Sequence, residues 1–285
     1  MTPVPELRRI HPDEWRVLHD LAFAAFTDLE SRMGDPPIEP PPDEIVELRF
    51  RHLLENDPGG AWLAEENGRP VGGALAIMRE GLWGLSLLIV HPDAQSGGIG
   101  RALLERALRY GDGARGGIIA SSGDARALRA YARAGFAMHP AVQATGVPRG
   151  GEVPAGIREG SLADLALTES VDRAVRGAAH GPDIEALLAN SRMLVAEERG
   201  YALAREDHLA LLAATDEEAA RDLLRAVLAT APVGESIRVE YVTAAQGWAV
   251  EVVLDAGLEL EVHNALFVRG DVGPFRPYLP SGAYL

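Results

Sequence analysis

One stretch of the 285-residue chain orders its residue types tightly enough to constrain chemistry: Leu87-Leu-Ile-Val-His-Pro-Asp-Ala-Gln-Ser-Gly-Gly-Ile-Gly-Arg-Ala-Leu-Leu, ending at Leu104. An apolar run reaches a stop at Pro92, crosses Gly97, Gly98 and Gly100, and passes at once into a segment with helical spacing. The opening turn of a helix brings unpaired backbone N–H groups to one point and carries the positive end of the helix dipole. Glycines there permit positive φ and close backbone approach, and Arg101 in the first turn adds a cation or a fork contact. The chemistry this predicts is capture of a phosphate or pyrophosphate. Glycines also open ordinary helices, so the stretch alone leaves a purely structural loop as an alternative. Two other phosphate loops are excluded. The dinucleotide fingerprint needs a third glycine where Leu103 stands, and the P-loop needs a lysine, of which the chain has none.

The surrounding pattern supplies elements to position that loop. Leu7 to Ile10 reads as a short strand, and Trp15, Leu18, Ala22, Ala25, Phe26 and Leu29 recur at three- and four-residue steps as one face of a helix. The prolines between Asp35 and Glu44 predict an exposed loop, followed by a helix from Asp43 to Leu54. Ala61 to Glu65, Val71 to Met78 and Leu82 to Val90, separated by turn residues, predict an antiparallel meander. Beyond the glycine loop the expectation is a helix (Gly100 to Tyr110), a strand (Gly117 to Ser121), a helix (Asp124 to Ala134) and a strand from Phe136, arranged as a parallel α/β unit that closes near Val142. The segment Thr145 to Gly156 is rich in glycine and proline and reads as a linker.

The spacing Gln95-x-x-Gly98-x-Gly100 after a strand and a proline resembles the GNAT N-acetyltransferase superfamily. A second landmark agrees: Asp124-Ala-Arg-Ala-Leu-Arg-Ala-Tyr-Ala-Arg-Ala-Gly-Phe136 places Tyr131 on a helix four residues before Gly135-Phe136. The resemblance implies a mixed α/β fold and acetyl-CoA as cosubstrate. It implies that the backbone amides of Gln95, Ser96, Gly97, Gly98, Ile99, Gly100 and Arg101 hold the coenzyme pyrophosphate, and that the strand at Ile89 and Val90 lies along the pantetheine arm. It also implies Tyr131 as the general acid, since a phenol is protonated at neutral pH and can deliver a proton to a departing thiolate. Packing of Tyr131 as a core aromatic beside Leu128 is the structural alternative. Asp124 stands where relatives often carry Asn and can serve as a helix cap.

Relatives often place a glutamate on the strand before the pyrophosphate loop, but Leu82 to Val90 contains no carboxylate. Glu80 and His91, at the two ends of that strand, are the candidate general bases, with a water chain as the third option. The acceptor is expected to be a primary amine of a small molecule or a protein, entering against the first two helices. Trp15, His19, Phe23, Phe26, Phe50 and His52 lie there, with spacing that favours core packing over an aromatic pocket. A noncatalytic acyl-CoA-binding sensor, or a scaffold that binds no coenzyme, is the alternative to an enzyme.

The second half repeats the first. Arg221-Asp-Leu-Leu-Arg-Ala-Val-Leu aligns with Arg101-Ala-Leu-Leu-Glu-Arg-Ala-Leu, and Ala256-Gly257-Leu258 with Ala134-Gly135-Phe136. A period near 120 residues indicates duplicated domains. The expectation is therefore two tandem GNAT-like folds: an acetyltransferase domain at residues 1–145 and a degenerate domain at 157–285 with a structural or substrate-lining role. Where the glycine loop should recur stands Thr215-Asp216-Glu217-Glu218, whose carboxylates repel a pyrophosphate, and Val253 replaces the tyrosine. Trp248, Tyr201 and the tail Pro277 to Leu285 could line a pocket, with core packing as the more ordinary use.

Composition narrows the partners. All 27 basic residues are arginine against 42 acids, a net charge of −15, with 16 arginines against 20 acids in residues 1–150 and 11 against 22 beyond. The arginines are scattered, so the basic footprint of a nucleic-acid binder is missing. Without lysine there is no Schiff-base chemistry, and without cysteine no thiol nucleophile, disulfide or cysteine-containing zinc site. No metal is expected. The most apolar stretch, Gly81 to Val90, is about half the length of a membrane-spanning helix, and the first residues lack a secretory apolar region. The expectation is a cytoplasmic protein, monomeric or homodimeric.

Overall fold

The computed structural model describes residues 5–34 and 40–285. The chain falls into two compact units, one of residues 1–78 and 83–114 and one of residues 79–82 and 115–285. This spatial division differs from the tandem one, because the later elements of the first repeat associate with the second repeat.

In the first unit, β1 (Glu6–Arg9), β2 (Ala61–Glu66), β3 (Arg69–Arg79) and β4 (Leu82–Val90) lie side by side in that order. β1 pairs antiparallel with β2, and β2 with β3, in a register that sets Leu63 against Gly73. Three helices accompany them: α1 (Trp15–Met33), α2 (Asp43–Asn56) and α3 (Ile99–Tyr110). α1 ends where Gly34 takes a left-handed conformation and returns its N–H to the Glu30 carbonyl at 2.9 Å. Of the proline loop expected at 35–44, residues 35–39 lie outside the described residues, and α2 begins at Asp43. Packing here is close: a Cβ on Gly72 would stand 2.8 Å from the Ile89 carbonyl oxygen, and one on Gly73 would stand 2.7 Å from Leu18 Cδ2. These two glycines let α1 and the end of β4 close on β3, which fixes where β4 delivers its last residues.

The second unit contains β5 (Gly116–Ser122), α4 (Ala125–Arg133) and β6 (Ala137–Gly146), followed by the whole second repeat. That repeat runs β7 (Ile157–Glu159), α5 (Leu165–Val175), α6 (Asp183–Leu188), β8 (Arg192–Ala196), β9 (Gly200–Ala204), β10 (Leu209–Ala214), α7 (Glu217–Ala229), β11 (Ile237–Thr243), α8 (Gly247–Asp255) and β12 (Glu259–Gly270). Its order of strands and helices reproduces that of the first repeat element for element. A short β13 (Tyr278–Leu279) completes the chain.

The strand neighbours correct one expectation. β5 and β6 do not pair with each other to close a parallel unit. β12 lies between them, antiparallel to both, and β6 pairs on its other side with β11. Each repeat thus gives its last strand to the other repeat's fifth strand. β6 extends to Gly146, so the expected linker begins as strand. The remaining strands form a second sheet, β13-β10-β9-β8-β7. α7 and α8 cover a large apolar core of Leu212, Leu223, Leu224, Val227, Val239 and Trp248, among others. Each such fully buried side chain contributes about 1.5–3 kcal/mol relative to exposure. Among the described residues no helix is long and apolar enough to cross a membrane, and no cluster of three metal-ligating side chains occurs.

Candidate active site

β4 ends at Val90, and its pairing with β3 continues one step further, with the His91 N–H donating to the Val71 carbonyl at 2.8 Å. A single turn of 3-10 helix follows at Pro92–Ala94, capped by His91, whose Nδ1 accepts the Asp93 N–H at 3.3 Å. Gln95 then straps the loop back to the strand, donating Nε2 to the Val90 carbonyl at 3.2 Å. Ser96 (φ 69°) and Gly98 (φ 86°) both take left-handed conformations. Alternation of that kind turns successive N–H groups toward one side, the concavity that binds anions.

No N–H from Ser96 to Arg101 donates a hydrogen bond among the described residues, and the start of α3 carries neither a side-chain cap nor an acid in its first turn. A Cβ on Gly98 would meet nothing within 4 Å, so the corner is open. Six N–H groups without a partner among the described residues, at a helix start that has neither a side-chain cap nor a first-turn acid, are an arrangement suited to an anion. Arg101 is 85 % exposed and engages Glu105 through Nε at 2.9 Å, which leaves its two terminal amino groups for an anion. Ile89, Val90, His91 and the loop from Gln95 to Arg101 are therefore gathered on consecutive elements of the first unit.

Tyr131 and Glu80 belong to the second unit. Tyr131 is 6 % exposed on α4 and meets Phe267 of β12 edge to face, with ring centroids 5.4 Å apart. Burial pushes its phenol above the ordinary tyrosine value, with the Asp124 charge adding to the effect. The phenol is thus a firm holder of its proton. Asp124 caps α4, accepting the Arg126 N–H at 2.7 Å.

Glu80 is engaged by the second repeat. It takes the turn between β3 and β4 at φ 46°, accepts both Nε and a terminal nitrogen of Arg173, the closest at 2.7 Å, and also accepts the Ala179 N–H at 3.0 Å. The Arg173 guanidinium and then the Ala179 amide hold its carboxyl below the usual carboxylate range. A carboxylate so engaged is a poor proton acceptor and instead anchors the turn to the second repeat.

The side chains expected to line an acceptor wall divide. Trp15 and Phe50 are buried core residues, whereas Phe26 is exposed and His19, Phe23 and His52 are half-buried. Trp248 and Tyr201 are core as well. Trp248 donates Nε1 to Gln246, and the Tyr201 hydroxyl donates to Asp172 at 2.5 Å.

Two features escaped the sequence reading. One is a sealed polar network in the second unit. Asp172 accepts from His180 Nδ1 at 2.8 Å and from Tyr201, the Tyr278 hydroxyl stands 3.3 Å from His180 Nε2, and Arg79 forms a buried two-point ion pair with Asp183 at 2.7 and 2.8 Å. Its sequence signal is the placing of Asp172 among Thr168, Val171 and Val175 on the buried face of α5, with Arg176 just after the helix. The other is Asn264 on β12, 6 % exposed, whose carboxamide has no partner for either Oδ1 or Nδ2 among the described residues. An unpaired buried polar group costs about 1–3 kcal/mol. No local signal separates Asn264 from an ordinary strand residue.

Comparison with known proteins settles the family of the first repeat. Residues 15–136 match the Acetyltransferase (GNAT) family. They form a GNAT-family domain. A putative acetyltransferase from Pyrococcus horikoshii shares the fold over 100 % of this chain and 98 % of its own, with a TM-score of 0.80 at 18 % identity. A GCN5-related N-acetyltransferase from Sphaerobacter thermophilus covers 93 % of this chain and 95 % of its own, with a TM-score of 0.59 at 16 % identity. A tandem GNAT protein from the clavulanic acid biosynthesis pathway covers 94 % and 98 %, with a TM-score of 0.56 at 16 % identity. No curated protein matches the chain in sequence. At these identities the structural likeness speaks for the fold, which is a mixed α/β tandem GNAT architecture.

Proposed function

We propose that the chain is an acetyl-CoA-dependent N-acetyltransferase that acetylates a primary amine of a small molecule or a protein, in the cytoplasm, as a monomer or homodimer. The observation that carries this reading is the open corner at Ser96–Arg101, with its six undirected N–H groups and no opposing acid. Those amides bind the coenzyme diphosphate. The backbone at Ile89 and Val90, the last residues of β4, lies along the pantetheine arm and supplies an N–H to polarise the thioester carbonyl, the kind of preorganised donor that gives the largest catalytic term in acyl transfer.

The coenzyme supplies the activated acetyl thioester. The neutral amine attacks the carbonyl carbon, a C–N bond forms, and the tetrahedral intermediate expels the thiolate as the C–S bond breaks. Tyr131 gives its proton to that thiolate; burial keeps the phenol protonated in the resting protein and makes it a weaker acid, so the transfer is driven by the basicity of the departing thiolate in the same dry site. The amine proton leaves through His91 or through water, since Glu80 is committed to Arg173. Because Nδ1 of His91 accepts the Asp93 amide, the neutral ring carries its proton on Nε2. His91 therefore takes up the amine proton at Nδ1 only by giving up that cap, whereas the water route leaves the cap intact.

Steady-state release of coenzyme A thiol across a panel of amines tests the reading, and turnover by wild-type protein is the expected result. The second reading is a noncatalytic acyl-CoA sensor, favoured by the lack of a carboxylate on Leu82–Val90 and by the engagement of Glu80. Titration calorimetry showing acetyl-CoA binding, with no turnover for any amine, would support the sensor. Absence of binding removes both.

A further inference from the structure

We propose that Asn264, carried into the sheet by the last strand of the second repeat, binds an amide group of an acyl-transfer ligand, an inference that rests on the coenzyme reading above. Asn264 is 6 % exposed and its carboxamide is unpartnered at both ends. It stands where the register of β12 on β6 breaks between Val262 and Asn264, with His263 as the extra residue. Directly across from it lie Ser122, the last residue of β5, and Ala141 of β6. Three residues further along β12, Phe267 meets the ring of Tyr131.

From Ala265 to Phe267 the strand is apolar and buried, so an apolar residue at 264 is the more stable choice for a purely structural position. Bulges of this kind re-aim a side chain and gather beside functional sites. A carboxamide offers donors and an acceptor on one planar group, which matches the acceptor and donor of a secondary amide. The bulge at His263 interrupts the ladder beside the carboxamide, which gains its partners in the ligand-bound state. The amide can come from the pantetheine arm of the coenzyme or from a peptide-type acceptor.

The test uses the full chain with Asn264→Leu, and Asn264→Ala should the leucine variant fail to fold. Removing an unpaired buried carboxamide raises the Tm of the leucine variant by roughly 2–6 °C. Calorimetry is run with coenzyme A and with adenosine 3′,5′-bisphosphate, which lacks the pantetheine amides. Thiol release is run with triglycine amide and with n-butylamine. A fall of about tenfold in coenzyme A affinity with unchanged bisphosphate affinity supports the proposal and assigns the amide to the pantetheine arm. Unchanged coenzyme A affinity with a KM raised about tenfold for triglycine amide, and not for butylamine, supports it and assigns the amide to the acceptor. A variant in which all four measurements stay at wild-type values overturns the proposal and makes Asn264 a structural residue. Wild-type protein that fails to bind coenzyme A removes the loop reading and this inference together.

Discussion

Two helix starts occupy equivalent places in the two repeats, and their contents are opposite. At α3 the six N–H groups from Ser96 to Arg101 donate no hydrogen bond among the described residues, and the first turn carries no acid. At α7, Asp216 turns inward and accepts the Ala219 N–H at 2.9 Å, Glu217 pairs with Arg276 and Arg221, and Glu218 pairs with Arg199. The strand leading into α7 is covered as well: β13 pairs along β10, with Leu279 on Leu212 and Tyr278 on Ala213. A helix dipole must be answered by negative charge from somewhere. In the second repeat the protein's own carboxylates supply it, whereas at α3 no side-chain cap or first-turn acid does. The order of elements is shared, and the two corners differ in which groups satisfy the same backbone donors; on the proposed reading that is the difference between a binding site and a buttress.

The largest effect comes from making the first corner like the second. Gly98→Glu forces a side chain into a left-handed conformation, at about 1–2 kcal/mol, and sets a carboxylate against the diphosphate, at about 1–4 kcal/mol. Coenzyme A affinity measured by calorimetry should fall by about 100-fold or more, and retained affinity would disprove the loop assignment. Next comes Tyr131→Phe, which removes the proton donor while keeping the edge contact with Phe267. The expected result is a kcat lower by about 100-fold or more with coenzyme affinity and Tm preserved; undiminished kcat would remove Tyr131 as the acid. Then comes the structural role of the second repeat. Asp183→Ala removes the carboxylate of a buried two-point ion pair with Arg79 and should cost about 3–5 kcal/mol, read as a lower urea midpoint. A midpoint unchanged by the substitution would show that the pair is not holding the β3–β4 turn.

A smaller effect is a dependence of stability on pH. Burial lowers the pKa of His180 below its ordinary 6.5. Burial alone would raise the Asp172 carboxyl, but His180, Tyr201 and Arg176 outweigh it and hold that carboxyl low. Both groups bind fewer protons in the folded state than in the unfolded one. Their contribution is therefore complete above about pH 6.5 and declines as the pH falls below it, His180 first and Asp172 at more acid values. Thermal melts from pH 8 to pH 5 should show the decline, and His180→Gln should flatten its upper part; an unaltered slope in that variant would clear His180 of the effect. The smallest effect belongs to Glu80→Gln. A general base contributes about 10²–10⁴-fold, so turnover within about twofold of wild type is expected of a residue that only anchors a turn, and a large loss would restore Glu80 as the base.

Much of the local structure was legible because it depends on neighbours in sequence. The three- and four-residue recurrence from Trp15 to Leu29 marked α1, and alternation with turn residues marked β2, β3 and β4. The loop was legible for the same reason: Gly98 and the helix after it dictate where the N–H groups point, whatever packs elsewhere. The acidic replacement at Asp216–Glu218 was equally plain. The engagement of Glu80 was not legible, because its ion pair is with Arg173, 93 residues away, and no spacing rule reaches that far.

The sequence by itself determined which backbone segments become strands and helices, that they come in two copies, and that one helix start is open while the other is acidic, since φ preferences, side-chain period and local charge are properties of short segments. Tertiary structure alone decided that β12 lies between β5 and β6 and that β6 reaches β11. Every strand edge offers the same row of N–H and C=O groups, so the residues of a strand specify its faces but not its partner. The partner is selected by which edges the folded halves bring within reach, and that selection is what buries Asn264, sets Phe267 against Tyr131 and joins Arg79 to Asp183.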